Sequence, residues 1–496
     1  MKISCTWLLA LGVLLCTTSA SSFDKRATLS ECLKSYEVPL YEEDTKNYTQ
    51  AVKPFNLRLP FAPASYAVPT TVKHVQDAVS CGVSSGIRVT AKCGGHSYGA
   101  HGLGGEDGHL IIDMRRFNSV TVDQEAHTAV VGAGGRLGNI ALALYNQGKQ
   151  AISHGTCPGV GVSGLALHGG YGLSSRLHGL TLDAMISATV VLSNSSIVTA
   201  SKTSNPDLFW ALRGAGAAFG IVTDFTFSTF TAPEDNLVFS YDLSPSNTTQ
   251  LTAMLSALQN FTMHDQPPEL NMRMFLPRQL TGVYYGNRST YDTIMAPLLR
   301  ELNIPSSSRG SGTVSSKTWL NTLTSFSNGP LAQPEIYTYH ENFYAKSLMT
   351  PALSEKVLHA LADYYFTTAR NLRGRSWYLL IDMHGGAGSA ISAVGADETA
   401  YVHRDAVFKM QFNDRIFPDS ATYTREMMGF LNGWVGAVEQ ASGEKRFGMY
   451  INYADTNLTS AEAHARYWGS NYERLEGVKG VWDPKGVFEG PQLVGS

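Results

Sequence analysis

The sequence has no long apolar stretch beyond its first twenty residues, no excess of positive charge and no run of basic side chains. Without 18 consecutive apolar residues in that part of the chain, we expect no membrane-spanning helix there. The formal net charge of −3 argues against a nucleic acid or an anionic membrane surface as the partner. No metal site is predicted either. These absences exclude membrane-embedded and nucleic-acid-binding functions.

The first residues carry the pattern of a signal peptide. Met1 and Lys2 give a positive start, residues 7–16 are apolar, and residues 18–20 form a small-residue cleavage site. Because the apolar run is too short to span a bilayer, we assign residues 1–20 to a leader and expect a secreted, extracellular protein. Glycosylation sequons, which are typical of exported proteins, begin at Asn47, Asn194, Asn247, Asn260, Asn287 and Asn457.

Cysteine is also scarce. Two of the six cysteines lie in the leader, which leaves Cys32, Cys81, Cys93 and Cys157. In an exported protein, four cysteines favour two disulfides, for which three pairings are possible. Cys93 and Cys157 lie in glycine-rich loops, so their participation in structural bridges stays open at this point.

The composition predicts a folded protein of several domains. Hydrophobic residues make up 43% of the chain and aromatics 10%, which excludes disorder, and 496 residues are too many for one core. Glycines cluster before residue 233. Residues 234–445 are richer in aromatics, and strands predicted in MRMFL, WYLLIDMH and FKMQF indicate a second α+β domain. Residues 446–496, with a helix predicted over 461–480, are expected to return to the first domain.

Glycine clusters indicate places where the backbone approaches a ligand closely. One cluster, SHGTCPGVGVSG (153–164), contains the Gly-x-Gly-x-x-Gly spacing of a dinucleotide fingerprint at Gly159, Gly161 and Gly164. A true fingerprint opens a helix and is followed by an acidic residue that ends the next strand. Here Asp183 precedes the predicted strand ISATVVL, and further glycines fill the expected helix. We therefore reject the Rossmann interpretation.

A different resemblance rests on several motifs taken together: GGHSYG, HGTCPGVGVSGLALHGGYG, FWALRGAGAAFGIVTDF, YWGSNYERL and WDPKGVF. In this order they resemble the FAD-linked oxidases of the berberine-bridge type, in the vanillyl-alcohol-oxidase superfamily, and most of all the fungal glucooligosaccharide and carbohydrate oxidases. The resemblance covers almost the whole mature chain. It implies an α+β, two-domain PCMH-type fold: an FAD-binding domain (26–233), a substrate domain (234–445) whose antiparallel sheet is covered by helices, and a C-terminal segment (446–496).

The resemblance implies FAD that is covalently attached twice, through His96 to a ring methyl carbon and through Cys157 to the neighbouring ring carbon. Imidazole and thiolate are nucleophilic enough to add to an electron-poor ring. With Cys157 assigned to the flavin, the resemblance implies a Cys32–Cys81 disulfide and a free Cys93. Further residues expected to contact the cofactor are Gly94, Gly95, Ser97, Tyr98, Gly161, Gly164, Gly220, Val222 and Asn471.

The catalytic residues that the resemblance implies are Tyr453 and Asp382. Oxidation of an alcohol by a flavin needs a base for the hydroxyl proton, and in this family a tyrosinate hydrogen-bonded to an aspartate supplies it. A tyrosine must be assisted to act near neutral pH, because its unperturbed pKa is about 10. Thr156, Tyr378 and Gln411 are the expected substrate contacts.

Three positions depart from the glucooligosaccharide pattern: Phe275, Tyr378 and Leu380, where that pattern has glutamate, tryptophan and glutamine. Two polar contacts thereby become apolar, which favours either a different sugar or an aromatic alcohol. We expect a monomeric oxidase that converts the anomeric hydroxyl of a mono- or oligosaccharide to a lactone and reduces O2 to H2O2. The alternatives are an oxidase of a specialised metabolite, such as an alkaloid or aromatic alcohol, and a flavin-loaded binding protein with little turnover.

Overall fold

The computed structural model describes residues 25–276, 278–304, 312–327, 329–443 and 445–496. The predicted leader, residues 1–20, lies outside the described residues. Within the described ranges, none of the helices is long and apolar enough to cross a membrane.

The described strands form several sheets, and their bounds follow the chain. The strands are Ser65–Ala67 (β1), Val89–Lys92 (β2), Leu110–Asp113 (β3), Val120–Asp123 (β4), Thr128–Gly132 (β5), Gln150–Ala151 (β6), Met185–Val191 (β7), Ile197–Ser201 (β8), Ile221–Ser228 (β9), Phe230–Thr231 (β10), Asn236–Asp242 (β11), Leu270–Leu276 (β12), Gln279–Tyr284 (β13), Gly312–Lys317 (β14), Phe343–Thr350 (β15), Arg375–Met383 (β16) and Phe408–Ile416 (β17).

The described helices are mostly short to medium in length. They are 25–35 (α1), Lys46–Ala51 (α2), Val72–Ser84 (α3), Leu137–Asn146 (α4), Val162–Ala166 (α5), Ser175–His178 (α6), Pro206–Ala215 (α7), Thr248–His264 (α8), Arg288–Glu301 (α9), Trp319–Phe326 (α10), Glu355–Thr367 (α11), Gly429–Ala441 (α12), Ser460–Tyr467 (α13) and Tyr472–Trp482 (α14). Short polar side chains start several of them. The hydroxyl of Thr71, for example, accepts from the backbone N–H of His74 and caps α3.

The N-terminal half of the chain contains a parallel sheet and an antiparallel sheet. The order β1-β3-β2 is parallel, and β4-β5-β9-β7-β8 is antiparallel. The first glycine loop leaves the end of β2, and the second lies between β6 and α5. Both loops therefore start from strand ends, where the regular backbone pairing stops and the peptide groups become available to a ligand.

The second half is built on one antiparallel sheet in the order β14-β11-β13-β12-β16-β17-β15. The strands predicted in MRMFL, WYLLIDMH and FKMQF are confirmed as the adjacent strands β12, β16 and β17. Alternate apolar side chains, such as Met274, Ile381 and Met410, are fully buried under helices that include α8, α11 and α12. The opposite face of these central strands carries polar residues.

The C-terminal segment packs against the first half. The backbone N–H of Val89 donates to Val487 O at 2.9 Å, and Trp468 Nε1 donates to Gly214 O at 3.0 Å. The prediction of one helix over 461–480 is wrong, because the segment divides into α13 and α14. Gly469 between them has φ 48°, a left-handed conformation that no helix continues through.

A disulfide joins α1 to α3. Cys32 and Cys81 are paired, with their Cα atoms 5.7 Å apart, so this predicted bond is confirmed. Cys93 and Cys157 carry free thiols.

Candidate active site

The two glycine loops touch each other through their backbones. A Cβ on Gly94 would overlap the backbone nitrogen of Gly161, and a Cβ on Gly161 would overlap that of Gly94. The guanidinium of Arg136 joins the loops by donating to Gly94 O at 2.9 Å and to Gly159 O at 2.6 Å. Only glycine fits at Gly94 and Gly161, where the two loops cross. Steric exclusion of any larger side chain therefore explains why glycine stands at these two positions.

His96 and Cys157, one on each loop, converge. Cys157 Sγ lies 3.5 Å from His96 Nε2, and the ring of Phe55 stacks on the imidazole with centroids 3.7 Å apart. The hydroxyl oxygen of Tyr337 is also 3.5 Å from His96 Nε2. Two nucleophilic side chains that are far apart in sequence thus face one point.

Burial controls the protonation of this pair. Burial, assisted by the charge of Arg136, lowers the pKa of His96 to about 3, so the imidazole is neutral. Burial raises the pKa of the Cys157 thiol, although hydrogen bonds from its surroundings oppose the shift. A neutral imidazole is the nucleophilic form, whereas the thiol needs assistance to lose its proton.

The charged part of the site lies in one row across three central strands. Arg273 on β12, Asp382 on β16 and Lys409 on β17 are direct cross-strand partners. Arg273 Nε is 3.0 Å from one carboxylate oxygen of Asp382, and Lys409 Nζ donates to the other. Burial raises the pKa of Asp382, but the two cations outweigh it, so the pKa lies below its usual value and the carboxyl is ionised.

Lys409 stands between the two predicted catalytic residues. Tyr453 ends a short 3-10 turn (Ile451–Tyr453), and Lys409 Nζ is 3.4 Å from its hydroxyl oxygen while it also binds Asp382. The expected direct hydrogen bond from Tyr453 to Asp382 is thereby replaced by a bridge through the lysine. The lysine thus places a positive charge beside the phenolic oxygen of Tyr453.

Aromatic rings surround the ammonium of Lys409, which is 1% exposed. It lies 4.6 Å from the ring centroid of Tyr171 and 4.8 Å from that of Tyr453. Burial lowers the pKa of Lys409, but Asp382 and the neighbouring tyrosines outweigh it, and the pKa lies above its ordinary value. The lysine therefore remains charged.

The next row of the same sheet face brings together the predicted substrate residues. Gln411 Nε2 donates to the hydroxyls of Tyr98 at 2.7 Å and Tyr378 at 2.9 Å. The Tyr98 ring stacks on Tyr453 at 5.5 Å, and Phe275 stacks on Tyr378 at 5.3 Å. Together with Tyr453 these rings form one aromatic cluster on this face of the sheet, and we refer to it as the aromatic cleft.

Thr156 lies apart from these residues and lines a small cavity together with His154, Tyr285 and Trp319. Among the predicted cofactor residues, Gly95 has φ 67°, and Ser97 Oγ accepts from the backbone N–H of His101. A Cβ on Gly164 would meet open space.

The other predicted cofactor residues make protein contacts. Val222 is a core residue of β9 paired with Val190, and a Cβ on Gly220 would meet that same valine. Asn471 donates to the carbonyls of Ala396 at 2.8 Å and Thr399 at 3.2 Å.

Sequence reasoning missed Lys409, Arg273, Arg136 and Tyr337. A usable signal existed for the first two. Side chains two residues apart on a strand share a face, so Lys409 accompanies Gln411 and Arg273 accompanies Phe275. Tyr337 carries no comparable signal, because it lies in an irregular segment.

Comparison with known proteins fits this geometry. Residues 63–201 match the FAD binding domain family, and residues 449–495 match the berberine and berberine-like family. A xylooligosaccharide oxidase of Thermothelomyces thermophilus is 43% identical over 96% of each chain. The chain belongs to the berberine-bridge-type family of FAD-linked oxidases. A glucooligosaccharide oxidase of Sarocladium strictum is 41% identical, with 95% of this oxidase and 94% of that protein covered.

Solved structures confirm the predicted fold class. A carbohydrate oxidase of Microdochium nivale superposes on this oxidase with a TM-score of 0.90 and 37% identity, over 94% and 99% of the two chains. A glucooligosaccharide oxidase of Acremonium strictum, described with a 6-S-cysteinyl, 8α-N1-histidyl FAD, gives a TM-score of 0.89 and 40% identity over the same shares.

The chain is an FAD-dependent oxidoreductase, and its loops fit that cofactor. The neutral imidazole of His96 and the thiol of Cys157, the two nucleophiles expected to hold the flavin, meet at one point.

Proposed function

We propose that the oxidase converts the anomeric hydroxyl of a mono- or oligosaccharide to the lactone and passes the electrons to O2, yielding H2O2. The observation that carries the proposal is the position of Lys409 between Tyr453 and Asp382, beside an aromatic cleft. This arrangement provides a base for a hydroxyl proton at the place where a ring can stack. The names of the relatives, which act on xylo- and glucooligosaccharides, support a sugar as the substrate.

The proposed cofactor attachment uses both convergent nucleophiles, His96 and Cys157. Their 3.5 Å separation and the doubly linked FAD of the Acremonium relative support it. The proposal includes the predicted domain division: an FAD-binding domain at residues 26–233, a substrate domain at 234–445 and a C-terminal segment at 446–496. The loop residues Gly94, Gly95, Ser97, Tyr98, Gly161 and Gly164 would contact the cofactor, together with Gly220, Val222 and Asn471.

In the proposed mechanism, FAD held at His96 and Cys157 would supply the hydride acceptor for the anomeric carbon and would pass the electrons on to O2. Tyr453 Oη takes the hydroxyl proton as the hydride leaves. Lys409 stabilises the negative charge on that oxygen by donating to it, and Asp382 balances the buried ammonium. Gln411 holds the hydroxyls of Tyr98 and Tyr378, so the walls of the cleft keep one orientation.

The outer part of the cleft is apolar. Phe275 stacks on Tyr378 and is the cross-strand partner of the buried Leu380. These apolar side chains suit a sugar without an exocyclic hydroxymethyl group, such as the xylooligosaccharides after which one relative is named. They also favour the second candidate, an aromatic alcohol, which would stack on the same rings.

We further propose that the oxidase is a secreted monomer with a small-molecule carbohydrate and O2 as its partners. The asparagines of all six sequons, starting with Asn47 and ending with Asn457, are exposed, as glycosylation of an exported protein requires.

A peroxide-coupled assay tests the substrate. Xylobiose, cellobiose, chitobiose, glucose and an aromatic alcohol are compared, each sugar alongside its alditol, which lacks the anomeric carbon. We expect peroxide from at least one reducing sugar, none from its alditol, and a product heavier by one oxygen after hydrolysis of the lactone. Equal oxidation of the alditol, or oxidation of the aromatic alcohol alone, contradicts the proposal.

A further inference from the structure

Tyr337 is placed against both proposed attachment residues, and the reaction at the sugar does not use it. Its hydroxyl oxygen is 3.5 Å from His96 Nε2, the atom that is also 3.5 Å from Cys157 Sγ. Its ring rests against the second glycine loop, because a Cβ on Gly159 would overlap it. The three side chains form one contact group at the junction of the loops.

Arg136 fixes Tyr337 in this position. The guanidinium carbon lies 4.9 Å from the Tyr337 ring centroid, and the same group donates to the carbonyls of Gly94 and Gly159. The loops that carry His96 and Cys157 are therefore held together by the cation on which the tyrosine ring is stacked. Arg136 also places a positive charge close enough to His96 to lower the pKa of that imidazole.

Attachment of a thiol to the flavin has a defined balance. The S–H bond of Cys157 and one ring C–H bond are replaced by a C–S bond. The two protons and two electrons released reduce O2, the acceptor in the proposed reaction, to H2O2. The thiol must first give up its proton, and the base within reach is His96 Nε2.

Burial of both the thiol of Cys157 and the imidazole of His96 opposes that proton transfer. Burial raises the pKa of Cys157 and lowers that of His96, so a buried thiolate and imidazolium are each disfavoured. The Tyr337 hydroxyl, which lies 3.5 Å from the same His96 nitrogen as the sulfur, acts against burial and lowers the pKa of Cys157. Burial raises the pKa of Tyr337 itself, so its hydroxyl keeps its proton and acts as a donor.

We propose that Tyr337, held by Arg136, is a catalytic residue for formation of the Cys157–flavin bond: its hydroxyl donates to the sulfur as the thiol proton moves to His96. The inference rests on the proposed attachment of FAD at His96 and Cys157. It assigns Tyr337 to cofactor attachment and not to sugar oxidation.

The test compares Tyr337→Phe with Tyr339→Phe, a matched loss of one hydroxyl two residues away, where the tyrosine contacts Glu341 and Arg415. Newly made protein is labelled by a short isotope pulse, and samples are taken over time, acid-quenched, alkylated and digested. Mass spectrometry then measures the flavin-linked and alkylated forms of the Cys157 peptide, the flavin-linked His96 peptide and the Cys32–Cys81 disulfide. Bond formation is thus read without any activity measurement, and the disulfide reports folding.

We expect the Cys157 bond in Tyr337→Phe to form more slowly by about tenfold or more, the scale of one hydrogen bond to a charged atom. The His96 bond and the disulfide should keep the wild-type rate, and Tyr339→Phe should behave as wild type. Wild-type kinetics at Cys157 in Tyr337→Phe overturn the inference, and so does an equal delay at both flavin bonds. A wild-type protein whose Cys157 is never flavin-linked would instead refute the attachment proposal itself.

Discussion

At the scale of single residues, Lys409 determines the charge balance of the site. It is a buried cation shared between a carboxylate and a phenolic oxygen, and Arg273 completes the row. A buried charge is stable only when it is paired, so each member of the row depends on the others. The same pairing that keeps Asp382 ionised also brings positive charge to Tyr453.

Tyr453→Phe removes only the phenolic oxygen, so the fold and the flavin spectrum should persist. Positioned general bases contribute on the order of 100- to 10,000-fold. Flavin reduction by substrate, followed anaerobically by loss of the flavin absorbance, should therefore slow by at least about 100-fold. Reoxidation of chemically reduced enzyme by O2 serves as the control and should be unchanged. Substrate reduction at the wild-type rate would show that another group takes the proton.

Lys409→Met should slow flavin reduction by substrate by about tenfold or more, because the charged donor to the Tyr453 hydroxyl oxygen is lost. It also leaves Asp382 with one cation in place of two, and breaking a buried pair costs about 3–5 kcal/mol. The double variant Lys409→Met/Asp382→Asn should recover thermal stability without restoring the rate of flavin reduction. Flavin reduction at the wild-type rate in the single variant contradicts this role for Lys409.

The position of Lys409 in the sequence explains why it was missed. In FKMQF a lysine between apolar residues is typical of a strand face that points to solvent. Here β17 lies between β16 and β15, and the face that carries Lys409 is covered by Tyr171, Tyr450 and Tyr453. Those tyrosines come from distant parts of the chain, and strand order cannot be read from local alternation. Tyr453 and Asp382 were found through motif resemblance, whereas the cation that joins them required the sheet register.

At the scale of elements, strand β15 holds the turn that carries Tyr453. Tyr344 Oη donates to Asp455 Oδ1 at 2.5 Å, and Lys346 Nζ binds the other oxygen of Asp455. Ser347 Oγ accepts from the backbone N–H of Tyr450 at 2.9 Å. The turn is thus attached to one strand on both sides of Tyr453, the proposed base.

Asp455→Asn should loosen this attachment and lower kcat by about ten- to a hundredfold, the cost of a misplacement of about 1 Å. KM and covalent flavin content should change little, because the cleft and the glycine loops are untouched. The exposed Asp405→Asn is the matched control and should retain full activity. A parallel loss of flavin would point to general unfolding and contradict a positioning role.

The Cys32–Cys81 bond links α1 to α3 across 49 residues. In the chain-entropy model a loop of that length contributes about 4 kcal/mol of stability. The double variant Cys32→Ser/Cys81→Ser should therefore unfold at lower denaturant concentration, with activity at 25 °C retained. Cys93→Ser, which removes a free thiol, is the comparison. Equal midpoints for the disulfide variant and wild type would exclude the stabilising role.

Sequence reasoning succeeded where the determinants are local. The strand predicted in ISATVVL is confirmed as part of β7, because its run of apolar and β-branched residues favours a strand without distant partners. The helix predicted over 461–480 is interrupted at Gly469, which has a left-handed backbone and follows Trp468, whose indole N–H donates to Gly214 O. Trp468 and Gly214 are separated by more than half of the chain, so no local periodicity in the sequence predicts their contact.

At the scale of the whole molecule, buried neutral histidines make stability depend on pH. Burial lowers the pKa of His384 to about 3 and that of His403 to about 4, from 6.5. Between those values and 6.5 the unfolded chain binds more protons than the folded protein. Stability is therefore fully present above pH 6.5 and falls as the pH drops toward 4.

Each such histidine should cost about 1.4 kcal/mol per pH unit within its window. Thermal unfolding temperatures at pH 7, 6, 5 and 4 measure the slope. His403→Gln should reduce it, and the exposed His359→Gln should not. An unfolding temperature that is constant from pH 7 to pH 4 contradicts the expected linkage.

The chain leaves the N-terminal half after β10 and rejoins it through the C-terminal segment, whose residues Val487 and Trp468 pack on β2 and Gly214. The second half of the fold is therefore an insertion, and both of its ends join the N-terminal half. A chimera could exchange residues 234–445 between relatives at two junctions while keeping the flavin loops of one parent. Asp382 and Lys409 would come from one parent and Tyr453 from the other. The activity of each chimera would therefore measure how well the central strands of one relative fit the proposed base of another.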